Sequence, residues 1–209
     1  MQIISHRGYW KNPDERNQRV AFIRSFNAGF GTETDLRDIC GKIVVSHDMS
    51  TGKEITFEEV LQLMDGRNLP LALNIKADGQ IDEILRLLCK YGHTNYFTFD
   101  MSIPDMVVQI QKKARVFSGF SDLLSNPVEQ IGYNGIWLDS FRNLWWDADM
   151  LDNLMRDYDS VCVVSEELHK REPKGQWKMI KSAKCFKSNN LTLCTDNPEE
   201  ALRFFGVSK

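Results

Sequence analysis

The sequence predicts a single α/β domain, a (β/α)8 TIM barrel with a small β-hairpin after its second strand. Eight short, apolar, β-branched runs alternate with amphipathic helical segments along the 209 residues. Most of the runs are near-continuously hydrophobic, as parallel strands covered by helices are. No Pro-, Gly- or Ser-rich linker and no low-complexity tract divides the chain, so residues 1–209 read as one domain. Eight right-handed βα units close naturally into a barrel. The competing arrangement is an open doubly wound sheet, but no glycine-rich dinucleotide loop follows the first strand.

The predicted strands cover residues 2–5, 32–36, 71–75, 96–99, 115–120, 135–138, 161–165 and 191–194. The helical segments cover 20–28, 57–64, 81–91, 104–114, 126–131, 148–158, 174–186 and 198–205. Thr56 and Glu59 have capping-box spacing. Ile81, Ile84, Leu85 and Leu88 share one helix face, and Gly92 is a C-terminal stop. Ser102 with Pro104 and Asn197 with Pro198 mark two further helix starts. Cys40-Gly41 reads as a turn, so residues 43–46 return as a hairpin arm that carries His47 towards the barrel mouth.

Composition removes several function classes. Lys plus Arg number 26 against 29 Asp plus Glu, and a net charge of −3 argues against a nucleic-acid binder. With 12 Phe, 5 Trp and 5 Tyr, core material is too abundant for a disordered chain. No apolar run is long enough for an integral membrane segment. The start, MQIISHRG, has no secretory pattern. The five cysteines include no Cys-x-x-Cys pair, which argues against zinc and thioredoxin-like sites. Cys162 and Cys194 lie in apolar runs and read as buried thiols, so a reduced, cytoplasmic setting is expected.

Barrel active sites lie at the C-terminal ends of the strands. Strand one ends in His6-Arg7-Gly8, and strand two carries Glu33 and Asp35 on one side. The hairpin delivers His47 and Asp48, strand three ends in Asn74 and Lys76, and strand four in Asp100. Asp139, Glu166-Glu167-Leu168-His169 and Thr195-Asp196 end the last three. Paired carboxylates suit a hard divalent cation, Mg2+ or Ca2+. Arg7 and Lys76 offer charge to a phosphate. Two histidines can work as acid and base near neutral pH. Together these are what cleavage of a small-molecule phosphodiester needs.

The ordered series Ile4-Ser5-His6-Arg7-Gly8, Asn17, Gly31-x-Glu33-x-Asp35 and Gly41-Lys42-x-Val44-Val45-Ser46-His47-Asp48 resembles the glycerophosphodiester phosphodiesterase family. Leu73-Asn74-Ile75-Lys76, Phe97-Thr98-Phe99-Asp100 and Thr195-Asp196-Asn197-Pro198 continue the likeness to the last strand. The resemblance implies a phosphatidylinositol-phospholipase-C-like barrel and a phosphoric diester hydrolase of lipid metabolism. By position it implies His6 and His47 as the acid–base pair, Arg7 and Lys76 as phosphate ligands, and Glu33, Asp35 and Asn74 as metal ligands. The chain also departs from the family. Asn74 stands where the family has a carboxylate, and Asp100, Asp139 and Glu167 could compensate by strand position. Glu15-Arg16-Asn17-Gln18 keeps only the Asn of the usual Pro-Glu-Asn-Thr, and strand five lacks an arginine found in some relatives. About eight residues follow Asp48 before the next helix, where the family often carries a glycerol-recognising insertion (short connections are the norm for such units).

Two alternatives stay open: a catalytically degenerate phosphate- or sugar-phosphate-binding barrel, and a lyase-type reaction giving a cyclic phosphate. Around the mouth, Glu167 and Trp145 are candidate pocket residues, with Trp145-Trp146 also able to cover the barrel top or form a dimer patch. His169 reads either as a mouth residue or as a solvated cap. His93 reads as structural, and Lys170, Arg171 and Lys174 as a solvated basic stripe.

Overall fold

The structure is a computed structural model that describes residues 1–124 and 132–206. Its strands are β1 (Gln2–His6), β2 (Gly31–Ile39), β3 (Lys42–Val45), β4 (Leu71–Ile75), β5 (Tyr96–Phe99), β6 (Phe117–Phe120), β7 (Gly135–Leu138), β8 (Ser160–Val164) and β9 (Leu191–Thr195). The strand order is β5-β4-β2-β1-β9-β8-β7-β6, with β3 on β2. Apart from the hairpin arm β3, strands that follow one another in sequence lie side by side in this order, with β5 and β6 as its two ends, which is the order of a (β/α)8 barrel. Within this fold the chain forms two compact units, Ser5–Val116 and Met1–Ile4 with Phe117–Lys209.

In the Ser5–Val116 unit, β2 and β4 run parallel with Asp35 opposite Asn74, and β4 and β5 run parallel with Asn74 opposite Phe99. Beyond β5, Thr98 bridges Val116 in parallel. The apolar faces of α1 (Arg19–Asn27), α2 (Phe57–Met64), α3 (Ile81–Lys90) and α4 (Ile103–Gln111) supply Phe22, Phe57, Ile84 and Met106 to the core. The Thr56–Glu59 capping box forms, and the Ser102 hydroxyl accepts the Asp105 N–H. On α3 the buried set is Ile81, Ile84, Leu87 and Leu88. Leu87 takes the place expected of Leu85, because both fit a 3.6-residue period and only the facing sheet chooses between them. The β2–β3 register pairs Ile39 with Lys42, and the turn residues Cys40 and Gly41 have φ of 49° and 76°. That is the two-residue turn whose backbone twist suits a hairpin.

In the other unit, β6, β7, β8 and β9 pair in parallel, and Cys162 and Cys194 are fully buried among them. The helices are α5 (Ala148–Asp157), α6 (Lys174–Ser182) and α7 (Pro198–Phe205). The helix expected over 174–186 stops at Ser182, and Lys184–Lys187 forms a 3-10 turn. The Asp152 carboxylate accepts the Lys184 and Cys185 N–H groups at 3.1 and 2.8 Å, which draws the chain out of the helix. Asn197 precedes α7 but makes no side-chain cap bond. The helix expected over 126–131 lies outside the described residues. No helix among the described residues is long and apolar enough to cross a membrane.

Gly8 has φ of 81°, and a Cβ there would stand 2.7 Å from the Ala21 Cβ and 2.9 Å from the Ala21 carbonyl carbon. Gly41 has φ of 76° with open space around it. Gly41→Ala is therefore expected to cost about 1–2 kcal/mol from the left-handed backbone alone. Gly8→Ala adds overpacking worth about 1–3 kcal/mol more. Urea unfolding midpoints compared at constant slope measure the difference, and equal losses would contradict it.

Candidate active site

The cluster is built from the ends of β1, β2 and β4. After His6 the chain turns at Arg7 with φ of 56°. That left-handed conformation is held from both sides, since the Arg7 N–H donates to the Glu33 carbonyl and the Arg7 carbonyl accepts the Asn17 N–H, each at 2.9 Å. The Gly8 N–H donates to the Thr32 hydroxyl at 2.9 Å. The turn brings the Arg7 side chain over β2, where its Nε lies 2.9 Å from Asp35 Oδ2.

Asp35 is fully buried. Its Oδ2 also accepts the Asn17 side-chain amide at 2.8 Å, and its Oδ1 lies 3.4 Å from Lys76 Nζ. Asn17 Oδ1 accepts the Thr34 hydroxyl at 3.0 Å, which fixes the amide's orientation. Asn17 thus joins β2 to the Arg7 turn through both backbone and side chain, which gives the one retained residue of its motif a definite job.

Glu33 and Asn74 complete the cluster and are 2% and 7% exposed. Glu33 Oε2 stands 3.9 Å from His6 Nε2. The Asn74 amide nitrogen donates to Asp100 Oδ2 at 3.1 Å. Four side-chain oxygens are buried without a hydrogen-bond donor among the described residues: Glu33 Oε2, Asp35 Oδ1 and Asn74 Oδ1 of this cluster, and Gln80 Oε1 outside it. A buried acceptor without a donor costs about 1–3 kcal/mol. The three of the cluster fall on adjacent strands, two at alternate positions of β2 and one directly opposite Asp35. Successive alternate residues share a sheet face, so the three side chains leave the same side. Hard divalent cations take oxygen ligands of this carboxylate and amide kind, so the residues fit such an ion. No three His, Cys, Asp or Glu side chains converge among the described residues, so a cation here would need an oxygen of another kind besides Glu33 and Asp35, and the Asn74 amide offers one.

Burial pushes the Glu33 carboxyl well above its ordinary range, and the neighbouring Asp35 charge adds to the rise. Arg7 and Lys76 oppose the rise and do not cancel it. A cation bound at these oxygens would relieve the same penalty.

His47 follows β3, and the Ser46 N–H donates to the Asp35 carbonyl at 3.0 Å, so the arm returns to the strand that carries the cluster. The imidazole itself is half exposed and pairs with Asp48 Oδ1 at 3.0 Å. Arg37 donates to the His47 carbonyl. No hydrogen bond or ion pair among the described residues joins the His47 ring to Glu33 or Asp35.

The remaining candidates belong to the other unit. Glu167 accepts the Ser165 and Thr195 hydroxyls and the Asp196 N–H, so both of its oxygens are engaged. Burial raises its pKa against those bonds. The Trp145 indole donates to the Asp139 carbonyl at 2.8 Å and meets Phe120 edge-on. His169 is not a solvated cap: its Nε2 lies 2.6 Å from Asp139 Oδ1. Arg171 is not part of a solvated stripe either. It forks onto Glu166 at 2.7 and 2.9 Å and braces the carbonyls of Ser140 and Phe141. Its partners lie 5 and about 30 residues away, which a charge run in sequence does not reveal. His93 is buried with its ring against the Asn95 carbonyl, and burial lowers its pKa.

Solved structures with this fold include a glycerophosphodiester phosphodiesterase from Agrobacterium tumefaciens. It matches with a TM-score of 0.72 and 14% identity, over 99% of this chain and 100% of that one. This chain shares the (β/α)8 barrel fold of that enzyme. A phosphodiesterase from Oleispira antarctica, solved with its product sn-glycerol-3-phosphate, matches with a TM-score of 0.69 and 12% identity, over 99% and 97% of the two chains. An N-(5'-phosphoribosyl)anthranilate isomerase from Pyrococcus furiosus is more distant, with a TM-score of 0.52, 13% identity and coverage of 99% and 98%. The sequence itself matches no protein-family model and none of the curated proteins.

The Glu33 environment makes a pH prediction for the chelator-treated protein. The folded-state pKa lies above the ordinary 4.5, so the unfolded chain releases this proton first. Stability therefore falls as pH rises above about 4.5, until the raised folded value is passed. Glu33→Gln removes that penalty and is expected to raise the melting temperature at pH 7. The gain should vanish near pH 4. A variant that melts lower at both pH values would contradict the assignment.

Proposed function

We propose that this protein is a metal-assisted phosphodiesterase, a phosphoric diester hydrolase of small, glycerophosphodiester-like substrates. The observation that carries the reading is the set of three donor-less buried oxygens, on Glu33, Asp35 and Asn74, beside the cations of Arg7 and Lys76. A fold shared with two phosphodiesterases, one of them holding sn-glycerol-3-phosphate, supports it.

In this reading Glu33, Asp35 and Asn74 hold Mg2+ or Ca2+, which when bound neutralises phosphate charge. Arg7 and Lys76 are anchored on Asp35 yet about a fifth exposed, and they offer their remaining N–H groups to the non-bridging phosphate oxygens. His6 and His47 are the acid–base pair. One imidazole accepts the nucleophile's proton as its oxygen bonds to phosphorus. The other gives a proton to the alcohol oxygen as the second P–O bond breaks. Water as nucleophile yields a monoester and an alcohol. A neighbouring substrate hydroxyl yields a cyclic phosphate and an alcohol. The loop after Asp48 folds on itself around Glu54, which accepts the Thr51 and Gly52 N–H groups and the Ser50 hydroxyl. With so short a connection, a dedicated glycerol pocket is not part of this proposal.

One observation favours a second reading, a phosphate-binding barrel without catalysis. Lys76 Nζ already lies 3.4 Å from Asp35 Oδ1, and Asn74 brings no charge. A chromogenic phosphodiester separates the two. Chelation is expected to abolish turnover, and one of Mg2+, Ca2+ or Mn2+ to restore it. His6→Ala and His47→Ala should each lower kcat/KM by about 10²–10⁴. Undiminished activity in both variants would contradict the leading reading. Phosphate binding without turnover under any cation would establish the second, and phosphorus NMR of the product separates monoester from cyclic phosphate.

A further inference from the structure

The geometry points to Asp100 as the positioning residue that selects which end of the Asn74 amide faces the cation. The inference rests on the metal reading above. An asparagine side chain offers an oxygen acceptor on one side and an NH2 donor on the other, and the two ends have nearly the same shape. Only the oxygen can ligate a hard cation, and the NH2 end would repel one. Asn74 stands opposite Asp35 in register.

Asp100 follows β5 with φ of 63°, a left-handed conformation that aspartate tolerates better than most residues. Its Oδ2 lies 3.1 Å from the Asn74 amide nitrogen. An ionised carboxylate only accepts hydrogen bonds, so the group turned to Asp100 must be the NH2. The opposite end is then the oxygen, and Asn74 Oδ1 is indeed the buried atom left without a donor. Asp100 thus does for an amide ligand what an outer carboxylate does for a metal-bound histidine: it sets orientation and makes the ligand oxygen more electron-rich. It also returns a negative charge to a place where the ligand itself has none.

The test is Mn2+ binding by calorimetry on the full chain, with four proteins compared: wild type, Asp100→Asn, Asn74→Asp and the double variant. Asp100→Asn keeps the size of the side chain but can present either a donor or an acceptor. It is expected to weaken Mn2+ binding by about 10–100-fold. In the Asn74→Asp background both ligand ends are oxygens and nothing is left to select, so Asp100→Asn should cause no loss. Unchanged affinity on Asp100→Asn in the wild-type background would overturn the inference. An equal loss in both backgrounds would also overturn it, because that is what a general loop-stabilising role predicts. Wild-type protein that binds no Mn2+ would overturn the metal reading itself, and this inference with it.

Discussion

The buried Asp35 carboxylate is the charge around which the Ser5–Val116 unit is organised. It has no exposure to water, and a bare carboxylate in such a place would be strongly destabilising. Arg7, Lys76 and the Asn17 amide supply the compensation, and each comes from a different segment of chain. Much of the local architecture follows from delivering those three groups. Arg7 reaches Asp35 from a left-handed turn. Asn17 holds that turn by its backbone and β2 by its side chain. Lys76 stands where it does because its N–H continues the β2–β4 ladder onto the Leu36 carbonyl. Glycine at position 8 lets the chain leave the turn close against Ala21 of α1.

The carboxylates at the strand ends fall into two kinds, and the difference gives the site its meaning. Glu167 has both oxygens engaged by hydroxyl and backbone donors, and Asp139 accepts the Ser140 N–H and pairs with His169. Such groups are finished as they stand. Glu33, Asp35 and Asn74 each keep one buried oxygen without a donor, and burial holds Glu33 towards its neutral form. Native proteins rarely leave buried acceptors unused, and a cluster of them calls for a specific explanation. In the proposed function a bound cation would give those oxygens the partner they lack, while Arg7 and Lys76 are held beside them by Asp35.

The fold was legible because its signals are local and repeated. The limits of β4, β5, β7, α2 and α7 follow directly from apolar runs and the residues that flank them, and the β2–β3 turn from Cys40-Gly41, whose positive φ values the structure shows. What stayed hidden depends on partners distant in sequence. Leu85 and Leu87 are equivalent by period, and Asp152 ends α6 from about 30 residues away. Within the site, His6, Arg7, Glu33, Asp35, Asn74 and Lys76 stand out as residue types at strand ends. Asn17 does not, because its value lies in bridging two segments rather than in its own chemistry. The Asp139–His169 pair and the Arg171 fork escape for the same reason. The spacing of Asn74 and Asp100 carries no hint that one orients the other.

The account stands on a cation held by the buried oxygens of Glu33, Asp35 and Asn74. The most direct measurement is an anomalous difference map from a crystal soaked in Mn2+. The account predicts one strong peak within about 2.5 Å of Glu33 Oε2, Asp35 Oδ1 and Asn74 Oδ1, a distance typical of hard oxygen-ligated cations. A map without a peak there, with Lys76 Nζ occupying the position between those oxygens, would contradict it.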